Sequence, residues 1–198
     1  EEFKEAADFY RMEYSEDLMG MFRDFGCMLL LKCKVDTEGK ADLERLLEGR
    51  HKLKGTVKRQ LMTVSEELVQ LWAPGEQDGS GDTGEYEGSQ NVREMFQTAL
   101  EEIFHFCLYS KGGKNRYLLP EETAKPLLRL LTFPEGMMAG NEGLVVLDTQ
   151  CGAGSALMAA SRYLKNLRLM GYEKDEEMWA AAVIMSQLSG LEMELHLE

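Results

Sequence analysis

Residues 145–155 of this chain read Val-Val-Leu-Asp-Thr-Gln-Cys-Gly-Ala-Gly-Ser, and Gly171-Tyr172-Glu173-Lys174-Asp175 follows a helix-length interval later. An apolar run that ends in the acid Asp148, then a Gly-x-Gly turn, then a second acid near a strand end, describes a cradle for a nucleotide-like ligand. Gly152 and Gly154 let backbone approach a ligand where a Cβ would intrude. A helix opening near Gly154 offers unpaired N–H groups to a polar ligand end. Glu173 supplies the acceptors that ribose hydroxyls require.

A dinucleotide fingerprint places a third glycine three positions on, where this chain has Leu157, and the acid Asp148 would repel a pyrophosphate. The same acid attracts an ammonium or sulfonium group, which favours S-adenosylmethionine over NAD. Cys151 lies inside the turn with no His or acid dyad beside it in sequence, so a nucleophilic role is disfavoured.

Asp148 to Leu157 resembles the Asp-Pro-x-Cys-Gly-Ser/Thr-Gly-x-x-Leu motif of adenine-N6 DNA methyltransferases, specifically the modification subunit of type I restriction-modification systems. Gly171 to Asp175, with Ala180 to Ala182 and Leu188-x-Gly190 behind it, is similar to that family's second motif. Tyr117-Leu118-Leu119-Pro120 resembles its upstream Tyr-Thr-Pro element. Three positions depart from the pattern: Thr149 for Pro, Ala153 for Ser or Thr, and Leu119 for Thr.

The resemblance implies S-adenosylmethionine as cofactor, bordered by Tyr117, Pro120, Asp148, Cys151, Gly152, Gly154, Ser155 and Glu173. It also implies a helical N-terminal domain, DNA reached through the complete enzyme or a separate specificity subunit, and homo- or hetero-oligomers. The family's catalytic element is Asn/Asp-Pro-Pro-Tyr/Phe, which holds the flipped adenine. Pro74, Pro120, Pro126 and Pro134 are the only prolines and no two are adjacent, so no catalytic residue is named. Two rival readings stay open: a catalytically inactive methyltransferase-like interaction module, and a methyltransferase acting on RNA or protein. The chain starts at Glu1 without Met and reads as an N-terminal fragment.

The elements that position these residues follow from periodicity. From 144 onward, a strand over 144–147, a helix over 154–166, a strand over 167–173, a helix capped by Asp175 and an alternating strand over 192–197 give β-α-β-α-β. The crossover rule makes that sheet parallel, and the unbroken Val/Leu run reads as a buried first strand. The fold class is therefore α/β: a helical N-terminal domain followed by the first half of a doubly wound, Rossmann-like sheet.

Upstream, apolar residues recur at helical spacing over about 2–34, with further amphipathic stretches over 41–47 and 57–72, giving three or four helices. Residues 74–90 alternate glycine with acids and read as a flexible acidic linker. Asn91 and Glu94 resemble a capping pair ahead of a helix over 92–109, and a short helix follows over 121–131. The domains are 1–110, helical and containing that linker, and 111–198, the truncated catalytic part.

Composition limits the partners. With 35 acids against 22 bases the net charge is −13, which disfavours unaided binding to a polyanion or an acidic membrane surface. The cysteines Cys27, Cys33, Cys107 and Cys151 lack zinc-site spacing, so no metal is expected, and reduced thiols suit a cytoplasmic protein. No apolar run approaches the ~20 residues a membrane span requires.

Overall fold

The computed structural model describes residues 1–14, 17–33, 40–48, 53, 55–72, 85–110, 118–119, 123, 126–127, 144–164 and 167–198. They fall into two compact units, Glu1–Lys114 and Asn115–Glu198. No helix among them is long and apolar enough to cross a membrane.

The first unit is helical. It contains α1 (Glu2–Glu13), α2 (Met19–Lys32), α3 (Lys40–Glu48), α4 (Gly55–Trp72) and α5 (Glu85–Leu108). Helix α4 packs against α1, α2 and α5, and α2 also meets α3 and α5. Aromatic edges interlock in the core: Phe3 meets Phe25 at 5.3 Å, Phe22 meets Phe104 at 5.1 Å, and Trp72 closes on Phe96 at 5.1 Å. Helix α2 is buried almost all round, from Met19 to Cys27, and carries Arg23 and Asp24 inside with it.

The helical pattern over 2–34 divides into two helices, which makes four ahead of residue 73 among the described residues, within the three or four expected: the chain leaves helical geometry at Tyr14, and the Asp17 carboxylate accepts the Met19 N–H at 3.0 Å where α2 starts. Of the linker expected over 74–90, residues 85–90 are helical: α5 already begins at Glu85, ahead of Asn91 and Glu94, which lie within the helix rather than at its cap. Residues 74–84 lie outside the described residues, and of the helix expected over 121–131 only Thr123, Pro126 and Leu127 are described, all helical.

The second unit has the expected order: β1 (Leu144–Asp148), α6 (Ser155–Tyr163), β2 (Leu167–Glu173), α7 (Glu176–Ser189) and β3 (Glu194–Leu197). The sheet is parallel with strand order β1-β2-β3. Its register aligns Leu147 with Met170 and Asp148 with Gly171, then Gly171 with Leu195 and Glu173 with Leu197. Paired residues share a face, so Val146, Leu169, Gly171 and Leu195 line one side and Val145, Leu147, Arg168, Met170, Tyr172 and His196 the other. Strands added in one direction by right-handed crossovers put both helices on the same side. Leu157 of α6 accordingly reaches the Gly171–Leu195 side.

This one-sided layering corrects the reading of β1 as a buried strand. Val145 and Leu147 remain 46% and 54% exposed, because a Val/Leu run reports apolar preference and not how many layers cover it. On that open side Tyr172 stacks on His196 at 4.7 Å, and Arg168 and His196 both contact Glu194. The hydrogen bonds from Arg168, then His196, hold the exposed Glu194 carboxyl below its ordinary range.

Candidate site at the carboxyl ends of the first two strands

Each residue of the turn after β1 is held by a specific bond. Asp148 ends the strand, and its Oδ1 accepts the Gln150 N–H at 3.0 Å, an Asx turn that reverses the chain. Cys151 N–H then donates to the Tyr172 carbonyl at 2.9 Å, which fastens the turn to the end of β2. Gly152 and Gly154 take φ values of 56° and 79°, the left-handed region where a side chain is strained. Gly154 N–H returns to the Cys151 carbonyl at 2.8 Å, and Gly154 becomes the N-cap of α6. Without a side-chain cap on that end, the first backbone N–H groups of α6 keep their capacity to donate.

Glu173 ends β2 beside this turn. Its Oε2 accepts the Gly152 N–H at 2.8 Å, and its Oε1 accepts the N–H groups of Lys174 and Asp175 at 2.8 Å each. Asp175 in turn caps α7, accepting from Glu177 at 3.0 Å and Met178 at 3.2 Å. The second acid is thus bound to both loops that leave the carboxyl ends of β1 and β2.

Cys151 is buried. Burial first, then the nearby Asp148 and Glu173 carboxylates, push its thiol from an ordinary 9.0 up to about 12. It stays protonated at neutral pH, which removes thiolate chemistry. Among the described residues no group of three or more His, Cys, Asp or Glu could hold a metal ion.

The structure brings Asp148, Cys151, Gly152, Gly154, Ser155 and Glu173 together at one end of the sheet. Tyr117 and Pro120 lie outside the described residues. At Gly154 a Cβ would lie 3.6 Å from Ala182 Cβ and from Met193 Sδ, which are ordinary contacts, and the positive φ is by itself a reason for glycine there.

Gly171 is the residue whose role the motif pattern leaves unread. A Cβ on it would meet Cys151 Sγ at 2.8 Å, Leu195 Cδ2 at 2.9 Å and Leu157 Cδ1 at 3.0 Å, so the turn, α6 and β3 converge on a space only glycine leaves open. A glycine inside an otherwise bulky strand is the signal that could have found it.

No protein-family profile matches this sequence, and no curated protein matches it. Among solved structures it is similar to a protein from Listeria monocytogenes assigned to the class I S-adenosylmethionine-dependent methyltransferases, with 14% identity and a TM-score of 0.48 over 98% of this chain and 53% of that one. It is also similar to the methyltransferase subunit of a type I restriction-modification system from Streptococcus thermophilus, with 15% identity and a TM-score of 0.47 over 99% of this chain and 57% of that one. The chain spans just over half the length of each.

Proposed function

We propose that the turn from Asp148 to Ser155, with Glu173, is the S-adenosylmethionine cradle of a methyltransferase. We propose further that the enzyme methylates the N6 amine of adenine in DNA, as the modification subunit of a cytoplasmic restriction-modification system. The observation that carries the cofactor assignment is the pair of acids flanking a glycine turn at the carboxyl ends of adjacent parallel strands. The adenine assignment rests on the motif resemblance.

In this reading Asp148 faces the cationic methionine end: its Oδ1 is used by Gln150, and its Oδ2 accepts no hydrogen bond among the described residues. The Asp148 carboxylate disfavours a pyrophosphate. Glu173 accepts from the ribose, and the first N–H groups of α6 meet the polar methionine end. The cofactor supplies an electrophilic methyl group on a sulfonium; the chain holds and orients it. The adenine-gripping Pro-Pro element is not in this sequence, and target recognition falls to a separate specificity subunit.

That missing element and the net charge of −13 favour one rival, an interaction module that keeps the cradle shape without the reaction. Calorimetry on the full-length protein decides the cofactor assignment. Heat on adding S-adenosylmethionine, with none on adding NAD, is expected; heat with NAD alone overturns it. Methyl transfer to duplex DNA by that protein separates enzyme from module.

A further inference from the structure

Glu173 is positioned to do more than receive a ribose. A carboxylate offers about four lone-pair positions on its two oxygens. Three backbone N–H groups already occupy it: Lys174 and Asp175 on Oε1, and Gly152 on Oε2, each at 2.8 Å. The Gly152 bond is long-range in sequence and crosses from the end of β2 to the turn after β1. It acts at Gly152, which takes a left-handed φ of 56°, with the Cys151 to Tyr172 bond beside it. Hydrogen bonds to a charged acceptor are the strong ones, and backbone donors from two loops on one carboxylate fix those loops relative to each other.

We infer that Glu173 is a positioning residue that staples the Gly152 turn in its ligand-ready shape before any ligand arrives, and that ligand hydroxyls meet a carboxylate already committed to that task. The inference rests on the cradle reading for its ligand but not for its staple. Removing Glu173 therefore harms binding twice, through the lost hydroxyl contact and through the released turn. Removing the hydroxyls from the ligand harms it once.

Amide hydrogen exchange on the ligand-free full chain tests the staple. In Glu173→Ala, exchange at Gly152 should quicken about tenfold or more relative to the unsubstituted chain, as expected for losing a hydrogen bond to a charged acceptor. Amides inside β2 and α7 should stay within about twofold, so that the change is local opening and not a general loss of stability. Unchanged exchange at Gly152, or equal quickening throughout the unit, overturns the staple. Glu173→Gln is the milder second variant should the alanine form not fold: an amide keeps one acceptor oxygen, so exchange should quicken at Gly152 or at the Lys174–Asp175 pair, and quickening at neither overturns it.

Binding of adenosine and of 2′,3′-dideoxyadenosine then measures the double cost. The alanine variant should lose more adenosine affinity than the unsubstituted chain loses on going to the dideoxy compound, and equal losses overturn the double role. Failure of the unsubstituted chain to bind adenosine would count against the cradle reading and would leave the exchange result to decide the staple.

Discussion

Gly171 concentrates three neighbours into one test. The atoms a Cβ would meet belong to the turn, to α6 and to β3, and two of them stand closer than 3.0 Å. Gly171→Ala should therefore destabilise the chain by about 1–3 kcal/mol, the usual cost of overpacking a filled site, read as a lower urea midpoint at unchanged slope. Cys151→Ala removes the nearest of the three atoms, so the double variant should lose less than the sum of the single losses. Strict additivity would show that the cysteine is not what the new methyl meets. The places of Asp148 and Glu173 at strand ends were legible from sequence because an apolar run and a glycine turn mark where the strands stop. What Gly171 does was not, since nothing local to residues 167–173 says that Cys151, Leu157 and Leu195 arrive at the same place. The stapling of Glu173 was hidden for a related reason: its partner N–H at Gly152 is a backbone group and carries no residue type to read.

Among the elements, α7 best shows local signals agreeing with the fold. Asp175 accepts two orphan N–H groups at its start, Glu176 and Glu177 meet the positive end of its dipole, and Gly190 closes it in a left-handed conformation. Asp175→Ala should cost about 1 kcal/mol of stability, whereas Asp175→Asn, which keeps a capping oxygen, should cost only a few tenths, both measured by urea unfolding. Equal losses from the two would mean that charge at the dipole, not the cap, is what Asp175 contributes. The β-α-β-α-β order and the 167–173 strand were legible because period-two and helical patterns alternate cleanly there. The break between α1 and α2 was not, because apolar spacing continues across it, and the Asp17 bond to Met19 that marks the restart is a contact to a backbone group. The early start of α5 was hidden beneath a glycine- and acid-rich composition that reads as coil. The exposure of Val145 and Leu147 belongs to the layering of the whole sheet, which no single strand encodes.

At the scale of the molecule, charge limits what the chain can do by itself. Its 35 acids and 22 bases leave −13, and this excess acts at long range on any polyanion approaching it. Non-specific DNA binding draws almost wholly on phosphate neutralisation by Lys and Arg, with dissociation constants of about 10⁻⁴ to 10⁻⁶ M at physiological salt for proteins that have it. A fluorescein-labelled duplex should therefore show no anisotropy change up to about 10 µM of this chain at about 0.15 M salt, and lowering the salt to about 50 mM should restore little. Such silence is what the proposed division of labour requires, with the cofactor held here and the DNA gripped by another subunit or by further parts of the enzyme. Binding tighter than about 10 µM would break that division. If it weakened steeply with added salt, it would assign DNA contact to a local basic segment, for which Arg50 to Arg59, with five bases, and Lys111 to Arg116, with three, are acid-free candidates by sequence, and replacing the bases of the segment responsible with Gln should then abolish it.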